Sequence, residues 1–261
     1  MYLGHDPTPI HSCNGDSGFD GKVHLENMNR ILIYLFLTGV VTSQSYSVTI
    51  LGFHAADVNQ TIHDSGRIEF TTQNRGLFDL IWPANNYYDT RFDPVNFSLI
   101  SWKKSIRQGS YKESLSARMD STDILVYNKN HKVNLSKPAL TIFTMLGMIQ
   151  SKGPETLDTK WFQYEHEGKL GKARFVWADS SKAWNGQDSI LCNHYRLDIN
   201  IIDSLTSVSN RTDYFMEQII LSGVVREVWV SRLKPRKIIA AKVKTPWISL
   251  WAHIIETKEH W

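Results

Sequence analysis

The feature that most constrains this chain is a period of two. Tyr195, Leu197, Ile199 and Ile201 alternate with Arg196, Asp198 and Asn200, which is the pattern of a strand with one dry and one wet face. Comparable stretches recur at Val48–Phe53, Arg67–Thr72, Phe97–Trp102, Ile124–Tyr127, Ala173–Ala178, Glu227–Ser231, Ile238–Val243 and Trp247–Ile255. Turn-forming residues fall between them: Ser65-Gly66, Gln108-Gly109-Ser110, Asn128-Lys129-Asn130, Glu167-Gly168, Asn185-Gly186 and Lys234-Pro235. The pattern predicts a mainly β protein: a single large, strongly curved antiparallel sheet, a half-open barrel, with one short helix packed on it. That helix is expected over Ala139–Ile149, after Ser136-Lys137-Pro138 and before Gly153-Pro154. Apolar on nearly every side, it should be buried against the sheet or cover an opening.

A second constraint lies upstream. Met28-Asn29-Arg30 precedes an apolar run, Ile31–Val41, that is followed by small polar residues, the layout of a secretory signal peptide. The run is much shorter than the ~20 residues of a membrane-spanning helix. Cleavage is expected after Ser43 or Ser45, which makes residues 28–45 the signal, 46–261 a single β-rich domain and 1–27 an unstructured upstream extension. No cysteine follows the run to carry a lipid. Of the two cysteines, Cys13 lies in the extension and Cys192 stands alone, so the exported domain holds no internal disulfide. Losing Asp6, Asp16, Asp20 and Glu26 together with Lys22 and Arg30 raises the net charge from +3 to +5. The expected location is the periplasm or cell envelope.

Short aromatic and apolar motifs carry a resemblance. Tyr46-Ser47-Val48 with Gly52 and Ala56, Leu77-Phe78-Asp79-Leu80-Ile81-Trp82-Pro83, and Glu227-Val228-Trp229-Val230-Ser231 with its basic hairpin and final strand pair resemble a family of exported bacterial proteins known as a domain of unknown function. The resemblance covers most of Tyr46–Ile255. It implies a twisted, half-open antiparallel sheet like those of periplasmic lipoprotein carriers, and it brings no catalytic residues. The helix at Ala139–Ile149 is more apolar than the resemblance implies.

Motifs of chemistry are sparse. Gly-x-Ser-x-Gly, Walker A and Gly-x-Gly-x-x-Gly patterns are absent, so no enzyme is predicted and no cofactor. Cys192-Asn193-His194 offers two metal donors on one strand face, with His166 and His253 as distant completions; a structural cysteine and ordinary histidines are the expected reading. Glu165-His166-Glu167 beside Gly168 reads as a solvated hairpin tip, not as a carboxylate pair across a cleft. Arg232, Lys234, Arg236 and Lys237 around Pro235 read as an exposed turn suited to anionic headgroups more than to nucleic acid, which is not an expected partner. Aromatic residues make up 11% of the chain. Phe175, Trp177, Trp229, Trp247 and Trp251 read singly as ordinary core and together as the candidate wall of a cavity for an apolar or lipid-like ligand. A structural or interaction module of the envelope is the alternative, and an unrecognised enzyme ranks last.

Overall fold

The computed structural model describes residues 41–128, 130–203, 208–209 and 212–255. The upstream extension and the signal segment as far as residue 40 lie outside these residues. Strands are β1 (Val41–Ile50), β2 (Phe53–His63), β3 (Arg67–Asn74), β4 (Ala84–Phe92), β5 (Leu99–Gln108), β6 (Tyr111–Met119), β7 (Ile124–Tyr127), β8 (Lys132–Asn134), β9 (Ala139–Leu140), β10 (Phe162–His166), β11 (Lys169–Trp184), β12 (Ser189–Asp203), β13 (Val225–Ser231), β14 (Ile238–Lys244) and β15 (Ser249–Ile255). Among the described residues the helices are α1 (Gly76–Ile81), α2 (Ile142–Ser151), α3 (Pro154–Leu157) and α4 (Tyr214–Ile220).

All the strands belong to one 15-stranded sheet, ordered β8-β7-β6-β5-β4-β3-β2-β1-β15-β14-β13-β12-β11-β10-β9. It is an up-and-down meander in which β1 pairs antiparallel with β15; the parallel pair β9–β10 is the exception to antiparallel order. Flat, 15 strands would hold the two edges about 67 Å apart at ~4.8 Å per strand. Yet the edge strands β8 and β9 are joined by residues 135–138 alone, a link that spans at most about 18 Å. The sheet must therefore curl until its edges nearly meet. Among the described residues no β8–β9 ladder forms, and the curl stays open as a seam.

α2 lies in the concavity. The main core joins Ile142, Met145, Met148 and Ile149 of α2 to Ile68, Phe92, Tyr164, Phe175 and Tyr195 from the sheet. Gly147 shows how closely it fits: a Cβ there would stand 3.7 to 3.8 Å from Phe92, Ile68 and Phe97. The helix begins three residues later than expected, because Ala139–Leu140 pairs with β10 and Thr141 is the N-cap. Its hydroxyl accepts from the Thr144 N–H (3.3 Å) while the Thr141 N–H donates to the Thr144 hydroxyl (2.9 Å), a reciprocal capping box. Pro154, expected to lie past the helix end, opens α3.

The start of β1 adds another boundary. Val41–Ser45, the end of the expected signal, is part of the strand and pairs with β2. Gln44 is buried there and donates to Gln150 Oε1 of α2 at 2.5 Å.

Candidate functional site

Between the concave face of the sheet and helices α2 and α4 lies a cavity of about 190 Å³. Val48, Val58, Phe70, Ile238, Leu250 and Ala252 form its sheet wall; Phe143, Leu146, Phe215 and Ile219 cover it from the helices. The geometry follows from the strand pattern. Val48, Ala252, Ala241 and Val228 are cross-strand partners in register, so small and β-branched residues line one face of four adjacent strands and leave depth beneath the helices. Polar groups border this space at Gln60, Thr72, Tyr88, Asp213 and Gln218. Tyr88 donates to Asp213 Oδ2 at 2.5 Å, and Asp213 Oδ1 caps α4 by accepting from the Met216 N–H at 3.1 Å. Burial pushes the Asp213 carboxyl up from its ordinary range, and burial with the facing Asp213 charge pushes the Tyr88 phenol up.

A second cluster lies where the two halves of the curled sheet face each other. Glu167 and Gly168, both at positive φ, form the two-residue β10–β11 turn. The turn is where the sequence places it, but its surroundings are not: Glu165, His166 and Glu167 are buried, and the expected solvated tip is overturned. The tip packs against β5 and β7. Lys104 Nζ donates to Glu167 Oε1 at 2.6 Å, as does Thr212 Oγ1 at 3.1 Å. Glu165 accepts from Trp102 Nε1 (3.1 Å), from the Gly168 N–H (2.8 Å) and from the Tyr127 hydroxyl. Burial first of all raises the Glu165 carboxyl to about 7, and burial lowers the His166 imidazole to about 4. The adjoining space is about 30 Å³, room for about one water. With every Glu165 oxygen already paired, the arrangement works as a clasp across the seam, not as a substrate cleft.

Of the five aromatic residues singled out by the sequence, Trp229 and Trp251 are brought together and the other three stand apart from them. Phe175 is fully buried and meets Tyr195 edge-on at 5.9 Å in the core. Trp177 shares that strand face, opposite Tyr195, but is 41% exposed. Trp229 alternates with the buried Val228 and Val230 and so points to the other face of β13. There His194, Trp229, Trp251 and His253 stack in a row with ring centroids 4.3, 5.6 and 5.4 Å apart. Lys242 lies 4.7 Å from the Trp251 ring, a cation–π contact on the same row. Trp247 sits in the β14–β15 turn, 89% exposed. Of the five, Trp251 borders the cavity.

Cys192 is buried, its thiol pushed up to about 11 chiefly by burial. His194 stacks on Trp229 with its ring nitrogens 3.2 Å from Asp179 and 3.2 Å from Glu227, while His166 belongs to the clasp and His253 to the far end of the ring row. Phe143 and Leu146 come from the helix expected to lie on the sheet or cover an opening, whereas Phe215 and Ile219 of α4 carry no such expectation. α4 carries a legible start signal in Asp213 followed by Tyr214–Ile220; nothing local says which strands it covers.

No family model matches the chain, and no curated protein matches it by sequence. Among solved structures, the chain is similar to a beta-barrel-like protein of the domain of unknown function DUF1849 from Brucella abortus. The sequence identity is 7% and the TM-score 0.47, over 82% of this chain and 95% of that one.

Proposed function

We propose that the protein is an exported, non-enzymatic protein of the cell envelope that binds an apolar or lipid-like ligand beneath α2 and α4. The cavity of about 190 Å³ carries this reading. The cavity is partly open to solvent, and the surface it presents is mostly apolar, with a few polar groups at its border. It exceeds the ~150 Å³ of an engineered apolar cavity that takes up benzene. Of its helical cover, α4 has seven residues with Met216 buried, so opening α4 exposes the space without breaking the β ladder, while α2 stays anchored in the core. Peripheral contact with an anionic membrane belongs to the same proposal. The Arg232–Lys237 hairpin supports it, since Leu233 stands 82% exposed among four cations.

Organic extraction of protein purified from its native compartment, followed by mass spectrometry, tests the proposal: a co-purified apolar species at near-stoichiometric amount is the expected result. A second reading, an interaction module, is favoured by α1, where Leu77, Leu80 and Ile81 are all exposed. Recovery of a stable protein partner without any lipid would favour it.

A further inference from the structure

The ligand-binding reading above is the basis for a more specific statement about the ligand. Gln60 on β2 lines the apolar cavity, is 1% exposed, and its Nε2 has no hydrogen-bond partner. An unmatched amide in an apolar interior is costly, on the order of 1–3 kcal/mol, and native interiors seldom retain one without a use. The neighbours show why the amide cannot satisfy itself. Tyr46 Oη lies 2.8 Å from Gln44 Oε1 and 3.3 Å from Gln60 Oε1. A phenol has one proton, and the shorter contact takes it. In the chain cut after Ser43, which keeps Gln44, that residue is held in this orientation by two further bonds: its Oε1 accepts from the Ile238 N–H at 3.1 Å and its Nε2 donates to Gln150 at 2.5 Å. The Gln60 amide then has two orientations. As it stands, the NH2 group is left over; turned by 180°, the NH2 meets Tyr46 Oη and the carbonyl oxygen is left over. Either way one polar atom of Gln60 remains for a ligand.

A hydroxyl is the smallest group that partners both orientations, because it donates and accepts. Charge narrows the choice further. Among the described residues neither lysine nor arginine lines the cavity, so they offer an anionic headgroup there no counter-charge. We propose that the cavity takes an uncharged, mainly aliphatic molecule bearing a hydroxyl, with the hydroxyl bonded to Gln60 and the chain lying under Phe143 and Leu146.

The test uses 1-hexanol, n-hexane and hexanoate at neutral pH, with binding measured by headspace partitioning for the first two and by competition for the third. Wild type and Gln60→Leu are compared through the ratio of hexanol to hexane affinity, which cancels any general change in the cavity. The ratio should fall about tenfold in Gln60→Leu, the scale of one buried hydrogen bond, and hexanoate should bind more weakly than hexanol. Should Gln60→Leu not fold, Gln60→Met provides the same comparison. An unchanged ratio, or hexanoate binding as well as hexanol, would overturn the inference while leaving apolar binding intact. Failure of n-hexane to bind wild type at all would instead remove the ligand-binding reading on which it rests.

Discussion

Lys104 on β5 and Glu167 at the β10–β11 turn, 63 positions apart, meet at 2.6 Å in the interior, and Glu113 lies 3.4 Å from the same ammonium. The contact joins parts of the sheet that are far apart in strand order, so it holds the curl without a ladder across the seam. Removing the cation leaves the buried Glu167 and the partly buried Glu113 without their shared counter-charge. Lys104→Met should cost about 3–5 kcal/mol. Lys104→Met combined with Glu167→Leu should cost clearly less than the two single changes added together. Urea denaturation of the four proteins checks this; strict additivity would show that the two side chains do not act as a pair.

Glu165 and His166 give the clasp two opposing pH dependences. The folded Glu165 carboxyl lies at about 7 against an ordinary 4.5, so the folded state holds this proton more tightly. Its contribution is full below pH ~4.5 and is lost as pH rises through 7. His166 is lowered from 6.5 to about 4; its contribution is full above pH ~6.5 and is lost as pH falls through 4. The two slopes oppose each other between. Glu165→Gln should therefore show stability rising from pH 4 to 6.5, and His166→Asn stability falling from pH 4.5 to 7, as read from urea midpoints across that range.

Two turn glycines separate backbone strain from crowding. Gly52 (φ +85°) has nothing within 4 Å of a would-be Cβ, whereas at Gly66 (φ +79°) a Cβ would stand 2.1 Å from the Phe92 carbonyl oxygen. Gly52→Ala should cost about 1–2 kcal/mol, the left-handed penalty alone. Gly66→Ala should add about 1–3 kcal/mol of steric cost to that. Equal losses in thermal denaturation would contradict the β2–β3 turn geometry.

The aromatic residues should divide by place. Phe175→Ala removes a fully buried ring and should cost about 3–5 kcal/mol. Trp247→Ala, at a site 89% exposed, should stay within about 0.5 kcal/mol of wild type. Denaturant midpoints decide whether these two side chains share an environment or stand apart as described.

Particular strands explain what the sequence reveals and what it hides. β12 is legible because Tyr195 and Leu197 enter the core while Arg196 stays exposed, so hydropathy and burial alternate together. β4 is not, because the residues it buries alternately are Ala84, Asn86, Tyr88, Thr90 and Phe92; a dry face built partly from Asn and Thr leaves no hydropathy period. The expected strand Val48–Phe53 runs through the β1–β2 turn, since Leu51 and Gly52 both adopt positive φ and β2 starts at Phe53. At the clasp, Glu167-Gly168 announces its turn locally, but the groups that bury it, Trp102, Lys104 and Tyr127, come from distant strands. The cavity is hidden for the same reason. Its sheet wall is ordinary strand sequence, and only the curl beneath α2 and α4 makes it concave.

Filling the space beneath α2 tests whether a ligand lies there. Leu146 projects from α2 to the cavity and is only partly buried, so Leu146→Trp adds bulk where the ligand is proposed to lie. Partitioning of n-hexane into solutions of wild type and of Leu146→Trp is the measurement, with far-UV circular dichroism to verify the fold. Saturable binding of about one molecule per wild-type chain, lost in Leu146→Trp at preserved structure, is the expected result. No saturable uptake by wild type, or equal uptake by a correctly folded Leu146→Trp, would contradict it.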